Sequence, residues 1–179
     1  MSSRTFCSKA LSLRVLFHES VERLAWEAVL ETIRTTFNID FSTSMLGMSI
    51  ENAFNPYRGQ FNAERILSMI NQRISGSMFF VVLSDDIYVP GLNFVFGVAL
   101  PFRGAIMSTW RFRTENKNLY RLRILKTVRH ELGHVFGLSH CNGKCVMRFA
   151  NSLAELDAKP KDFCERCRQH LVALNVIPS

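Results

Sequence analysis

Hydrophobic positions change their spacing several times along the 179-residue chain, and each change marks an element. LSLRVLF (11–17) alternates and is rich in β-formers, which predicts a first strand. Val21, Leu24, Ala25 and Ala28 then recur at helical spacing, so a helix is expected from Val21 to about Thr36, with Ser20 placed to cap it. FNIDFSTS (37–44) reads as a second strand. Pro56 and Gly59 punctuate a turn at NPYRGQ (55–60), and Asn62 stands as the cap of a short helix whose Ile66, Ile70 and Ile74 fall four apart. MFFVVLS (78–84) is continuously apolar, the pattern of a strand buried on both faces in a parallel sheet. VPGLN turns, and NFVFGVAL (93–100) and AIMSTWRF (105–112) follow as an expected hairpin at the sheet edge. Strand, helix, strand, helix, strand is an α/β-like opening.

A longer helix is predicted from about Leu119 to Gly137, with Leu122, Leu125, Val128, Leu132, Val135 and Phe136 as its core face. At roughly 100° per residue, His130 and His134 lie about 40° apart and nearly opposite that stripe. Imidazoles one turn apart can hold a single ion, because their Cβ atoms are neighbours on the helix surface. Glu131 lies beside them but off the ligand row, where a carboxylate can take a proton from metal-bound water.

Taken alone, HExxH also arises by chance on solvated helix faces. Gly137 changes the weighing. It stands where a helix that ends in a left-handed residue wants glycine, and the turn it permits returns His140 to the same ion. Ligands at 130, 134 and 140 leave zinc a fourth position open, the mark of a catalytic site.

Cysteine placement adds a second metal. Cys141 and Cys145 form one short-spaced pair and Cys164 and Cys167 another, the two halves of a tetrahedral Cys₄ zinc site. Free thiols, or a redox CxxC without metal, are the competing readings. A mixed site in which Cys141 joins the histidines is disfavoured, since adjacent residues rarely aim at one ion. His170 could replace one sulfur, but a histidine on a polar helix face is the plainer reading. Cys7 reads as an ordinary thiol; six preceding residues are too few for a blocking prosegment.

Composition narrows the class further. With 47% apolar and 21% charged residues the chain is that of a folded globular protein. Its longest apolar run, Met78 to Leu83, is far shorter than the roughly 18 residues of a membrane span. MSSRTFCSKA lacks the apolar centre of a secretory signal, so a cytoplasmic location is expected. The net charge of +7 invites nucleic acid, yet the basic residues are scattered singly or in pairs, which weighs against it. No repeat or linker interrupts the chain, so one domain is expected over 1–179.

At HELGHVFGLSHC, CVM and CERC, with VPGLNFVFG and NPYRGQFNAE upstream, the sequence resembles the archaemetzincins, a family of metzincin-clan zinc peptidases. The resemblance implies an α+β zincin fold with a twisted mixed sheet, an antiparallel edge strand, an active-site helix, a Met-turn and a C-terminal helix. It implies an upper subdomain of about 1–137 and a lower one of about 138–179. His130, His134 and His140 would be catalytic zinc ligands, Glu131 the general base, and Met147 an apolar floor beneath the imidazoles. Cys141, Cys145, Cys164 and Cys167 would hold a structural zinc, making two zinc ions in all. Two loops depart from the family pattern: Cys141 to Cys145 and Met147 to Cys164 are each about one residue short. Phe149 stands where some metzincins carry a metal-reaching tyrosine, so no fifth ligand is expected.

The implied reaction is peptide-bond hydrolysis, with a peptide or protein substrate paired along NFVFGVAL and RFANSLAEL (148–156) walling its pocket. Two rivals use the same residues: a basic zinc module gripping nucleic acid or protein, and a zinc hydrolase of a small-molecule amide. Glu131 counts against the first, because binding alone requires no general base.

Overall fold

The computed structural model describes residues 11–179; Cys7 lies outside them. At its centre is β5 (Met78–Leu83), in which Phe80 and Val82 face one way and Phe79, Val81 and Leu83 the other, all fully buried. A strand buried on both faces needs a neighbour at each edge and a layer on each side. The neighbours are β1 (Ser12–Phe17) and β8 (Gly104–Ser108), both parallel to it. β2 (Asp40–Met45) extends the sheet beyond β1, and β7 (Gly97–Leu100) closes the other end antiparallel to β8, giving the order β2-β1-β5-β8-β7. α1 (Arg23–Thr36) and α3 (Lys117–Val135) pack on one face, and α2 (Ala63–Arg73) packs on the other. The result is a mixed α+β fold with an antiparallel edge strand.

Local signals and structure agree at most boundaries and differ at four. Ser20 does not cap α1, which begins at Arg23 without a side-chain cap. The Ser20 hydroxyl instead accepts from the Ser84 amide and donates to Asp85, pinning the end of β1 to the end of β5. NFVFGVAL pairs as a strand only from Gly97 onward; Val95 and Phe96 bond to Ile87 and Ser108 in an irregular approach. NPYRGQ turns as expected, but it joins β3 (Phe54–Asn55) to β4 (Gln60–Asn62), which with β6 (Ile87–Tyr88) makes a second small sheet. Strands of two or three residues are too short to carry a period. In α3, Tyr120, Ile124, Val128, Leu132 and Val135 are the buried apolar residues, whereas Leu122 and Leu125 are only half-buried. Arg123, Lys126, Thr127, His130 and Glu131 are buried too, so α3 is enclosed on nearly every side.

Two shorter helices, α4 (Leu153–Ala158) and α5 (Glu165–Ala173), follow α3. α4 is fastened to α3 by Arg123, whose guanidinium donates to both carboxylate oxygens of Asp157 at 2.8 and 2.6 Å. Lys126 donates to the carbonyls of Leu156 and Asp157 beside it. Arg123 is buried while Asp157 is partly hydrated, so losing the carboxylate strands a desolvated cation. Asp157→Ala is expected to lower stability by about 2 kcal/mol, below the fully buried case because solvent reaches the pair. The Arg123 hydrogen bonds hold the Asp157 carboxyl below its ordinary value of 3.8, against the opposing pull of burial. That stabilisation is therefore complete above pH 3.8 and fades as pH falls through the lower folded value. Urea midpoints of the two proteins should differ at neutral pH and converge in acid. Among the described residues no helix is long and apolar enough to cross a membrane.

Candidate metal centre and catalytic cleft

The end of α3 builds the site by local rules. Gly137 adopts φ +86°, and the amides of Gly137 and Leu138 bond back to the carbonyls of His134 and Gly133. This reversed turn is the glycine-ended helix stop expected from the sequence. It brings the Leu138 carbonyl under His134, whose Nδ1–H donates to it at 2.7 Å. It also carries His140 back toward the helix, so that its ring centroid lies 4.7 Å from that of His134 and 5.2 Å from that of His130. His130 is oriented from farther away: its Nδ1–H donates to the carbonyl of Val146 at 2.9 Å.

With Nδ1 protonated and spoken for, Nε2 of His130 and of His134 carries the free lone pair. Those two atoms stand 3.2 Å apart, and ligand atoms of all three histidines lie within 4.8 Å of one another. Burial lowers the pKa of each imidazole, most strongly for His130, so all three are neutral near pH 7, the form able to bind a metal ion. The donor set and its spacing fit a zinc ion with an open position. Phe149 packs edge-on against His140 at 5.2 Å and offers no further ligand atom.

Glu131 lines the same cleft, a cavity of about 330 Å³ bounded by β7, α3 and the segment from Phe149 to Lys159. Burial pushes its carboxyl up to about 8, with the nearby Lys159 ammonium pulling the other way. A divalent cation on the imidazoles would draw it back down. Sequence reasoning missed what lies under this carboxylate. A Cβ on Gly97 would sit 2.6 Å from Cδ and Oε1 of Glu131, so only glycine lets β7 pass so close. The lone glycine inside the apolar run NFVFGVAL was the available signal. Gly97→Ala is expected to displace the carboxylate and cost roughly 100-fold in kcat/KM. Zinc content should be unaltered, and metal analysis beside kinetics checks this. Gly133 makes a close approach of its own: a Cβ there would overlap the Met147 sulfur, so the thioether would have to shift. Met147 is fully buried, with its thioether against Gly133 of α3.

The four C-terminal cysteines converge as a second cluster. Their Sγ atoms all lie within 4.8 Å of one another, and no disulfide joins them. The shortened loops still reach. Cys145 Sγ accepts from the amides of Met147 and Cys164, at 3.4 and 3.2 Å, as a thiolate ligand would. The Cys167 amide, foremost among several hydrogen bonds, lowers the Cys164 thiol to about 7, while burial raises Cys145. His170 takes no part: its Nε2–H donates to the Phe136 carbonyl at 3.0 Å and stoppers the end of α3.

Two imidazoles one helical turn apart, a third returned by a glycine, and a buried glutamate on the shared cleft define a zinc metallopeptidase of the HExxHxxGxxH kind. Comparison with known proteins agrees. The model of Peptidase family M54 matches residues 43–173. The archaemetzincin of Nanoarchaeum equitans is 44% identical over 144 residues, which is 80% of this chain and 81% of that protein. The archaemetzincin crystal structure from Methanopyrus kandleri superposes with a TM-score of 0.80 at 32% identity, covering 94% of this chain and 97% of the other. That from Archaeoglobus fulgidus gives 0.79 at 34%, covering 89% and 99%. The chain belongs to peptidase family M54, the archaemetzincins.

Proposed function

We propose that His130, His134 and His140 hold one catalytic zinc and that Cys141, Cys145, Cys164 and Cys167 hold a second, structural one. The observation that carries this reading is the pair of Nδ1–H bonds to Val146 and Leu138, which leave Nε2 of His130 and His134 free beside a buried carboxylate. When bound, zinc supplies Lewis acidity toward a water and a peptide carbonyl. Glu131 takes the proton of the attacking water and then delivers it to the leaving amine. Its burial keeps bulk water from competing, and Gly97 sets the height of the carboxylate against the floor of the cleft.

The substrate is a peptide in extended form, lying along β7. That strand ends the sheet order, so its outer edge has no partner among the described strands, and it lines the cleft. Main-chain pairing there aligns a peptide without demanding a sequence. The organisation that follows is one catalytic domain, with an upper part of about 1–137 and a lower part of about 138–179 facing each other across the cleft. The test is cleavage of an unbiased peptide mixture by the zinc-loaded protein and by its Glu131→Gln variant. Peptides cut by the first alone support the reading; equal cutting by both removes Glu131 from the chemistry.

A further inference from the structure

Lys159 lines the cleft, and apart from its electrostatic pull on Glu131 it has no part in the chemistry above. It follows α4 in the chain and is only 5% exposed. Its ammonium lies 3.2 Å from the Arg148 carbonyl and 3.3 Å from Nδ1 of His130. The second atom is no acceptor, because its hydrogen is already given to Val146. An ammonium has three N–H donors, and Arg148 takes one. Among the described residues no carboxylate forms a salt bridge with Lys159. Buried cations are ordinarily paired, since a desolvated charge without an anion is costly. Phe149, Ala150 and Leu156 line the same cleft as apolar wall. They can pack the methylenes of a side chain. Glu131, the carboxylate whose charge reaches Lys159 across the cleft, forms no salt bridge with it and leaves the ammonium without an anion in contact.

We infer that Lys159 receives a carboxylate of the substrate, seated in the cleft beside the scissile bond. The enzyme would therefore select peptides that place an acidic side chain, or a free C-terminus, at that subsite. This rests on the peptidase reading, and the apolar rim is part of it: the wall grips the stem and Lys159 reads the end. A lysine that merely ties the chain to Arg148 would leave substrate choice untouched.

The test compares three matched fluorogenic peptides on the zinc-loaded protein at neutral pH. One carries a central Glu and an amidated C-terminus, one a central Gln with the same amide, and one a central Gln placed to bring a free C-terminus into the subsite. The first or the third is expected to exceed the second in kcat/KM by about tenfold or more, the worth of one charge-assisted hydrogen bond. Which of the two leads tells whether the carboxylate is a side chain or a terminus. Lys159→Met should erase the preference, and because the ratio is taken within one variant, general damage cancels. Lys159→Gln, which can still donate to Arg148, serves if the methionine variant folds poorly. The same peptides are titrated by fluorescence anisotropy into zinc-loaded Glu131→Gln protein, which reads the subsite without cleavage. Carboxylate preference in binding but no cleavage anywhere would keep the subsite and remove the peptidase reading. Cleavage without carboxylate preference, or a preference that survives in both Lys159 variants, overturns the inference.

Discussion

Glu131→Gln is expected to lower peptide cleavage by about 10²- to 10⁴-fold, the usual worth of a general base, with zinc content unchanged. The amide is nearly isosteric, so it occupies the same space against Gly97 and leaves the packing of α3 intact. What it cannot do is accept a proton. Glu131 is 4% exposed, and burial, even against the opposing Lys159 ammonium, pushes its carboxyl up to about 8, too high for a base at neutral pH. A dication on the three imidazoles would act in the same sense as that ammonium and draw the carboxyl down from there. Activity should therefore rise with pH as Glu131 loses its proton, and that acid limb should vanish in the Gln variant. Metal analysis and kcat/KM on one preparation decide the matter. A fully zinc-loaded Gln variant that cleaves as well as the parent would exclude Glu131 as the base.

The second large effect lies at a residue that touches no catalytic ligand. Cys164→Ser is expected to lose the Cys₄ ion and, with it, much of the ion at the histidines. The Cys164 amide donates to Cys145 Sγ, and the amide of Cys141 donates to the carbonyl of Met147, closing the cysteine loop onto itself. Within that loop the Val146 carbonyl orients His130, and Cys141 directly follows His140. Untying the cysteines therefore frees one second-sphere acceptor and the backbone of one ligand together. Structural zinc contributes folding energy outright, so a loss of several kcal/mol is expected. In a chain of this size that is a fall in Tm of about 10 °C or more. Two-site metal titration is the decisive measurement; one full equivalent kept at the histidines would show that the knot and the active site are independent.

Much of this site was legible before any fold. His130, Glu131 and His134 are arranged by helical pitch, and Gly137 by the left-handed turn that ends α3, so eleven consecutive residues specify the histidine cluster and the glutamate beside it. The cysteines were legible for a similar reason, since each pair is joined by a loop too short to send its sulfurs elsewhere. The half-read cases involve residues whose partners are distant. Ser20 looked like a cap but was claimed by Ser84 and Asp85, about 65 positions away. The leucine stripe of α3 was only partly right, because a helix enclosed on nearly all sides needs no single apolar face.

By itself, then, the sequence determined the metal-capable side chains, their spacing, the helix that carries the first two histidines and the glycine that stops it. All of these follow from backbone geometry acting over a few residues. The tertiary structure decided which carbonyl orients His130, why β7 must carry glycine at 97, that His170 stoppers α3 instead of binding metal, and that Lys159 reaches the cleft. Those depend on which surfaces pack together. Packing brings residues dozens of positions apart to within 4 Å, and no local period along the chain records it.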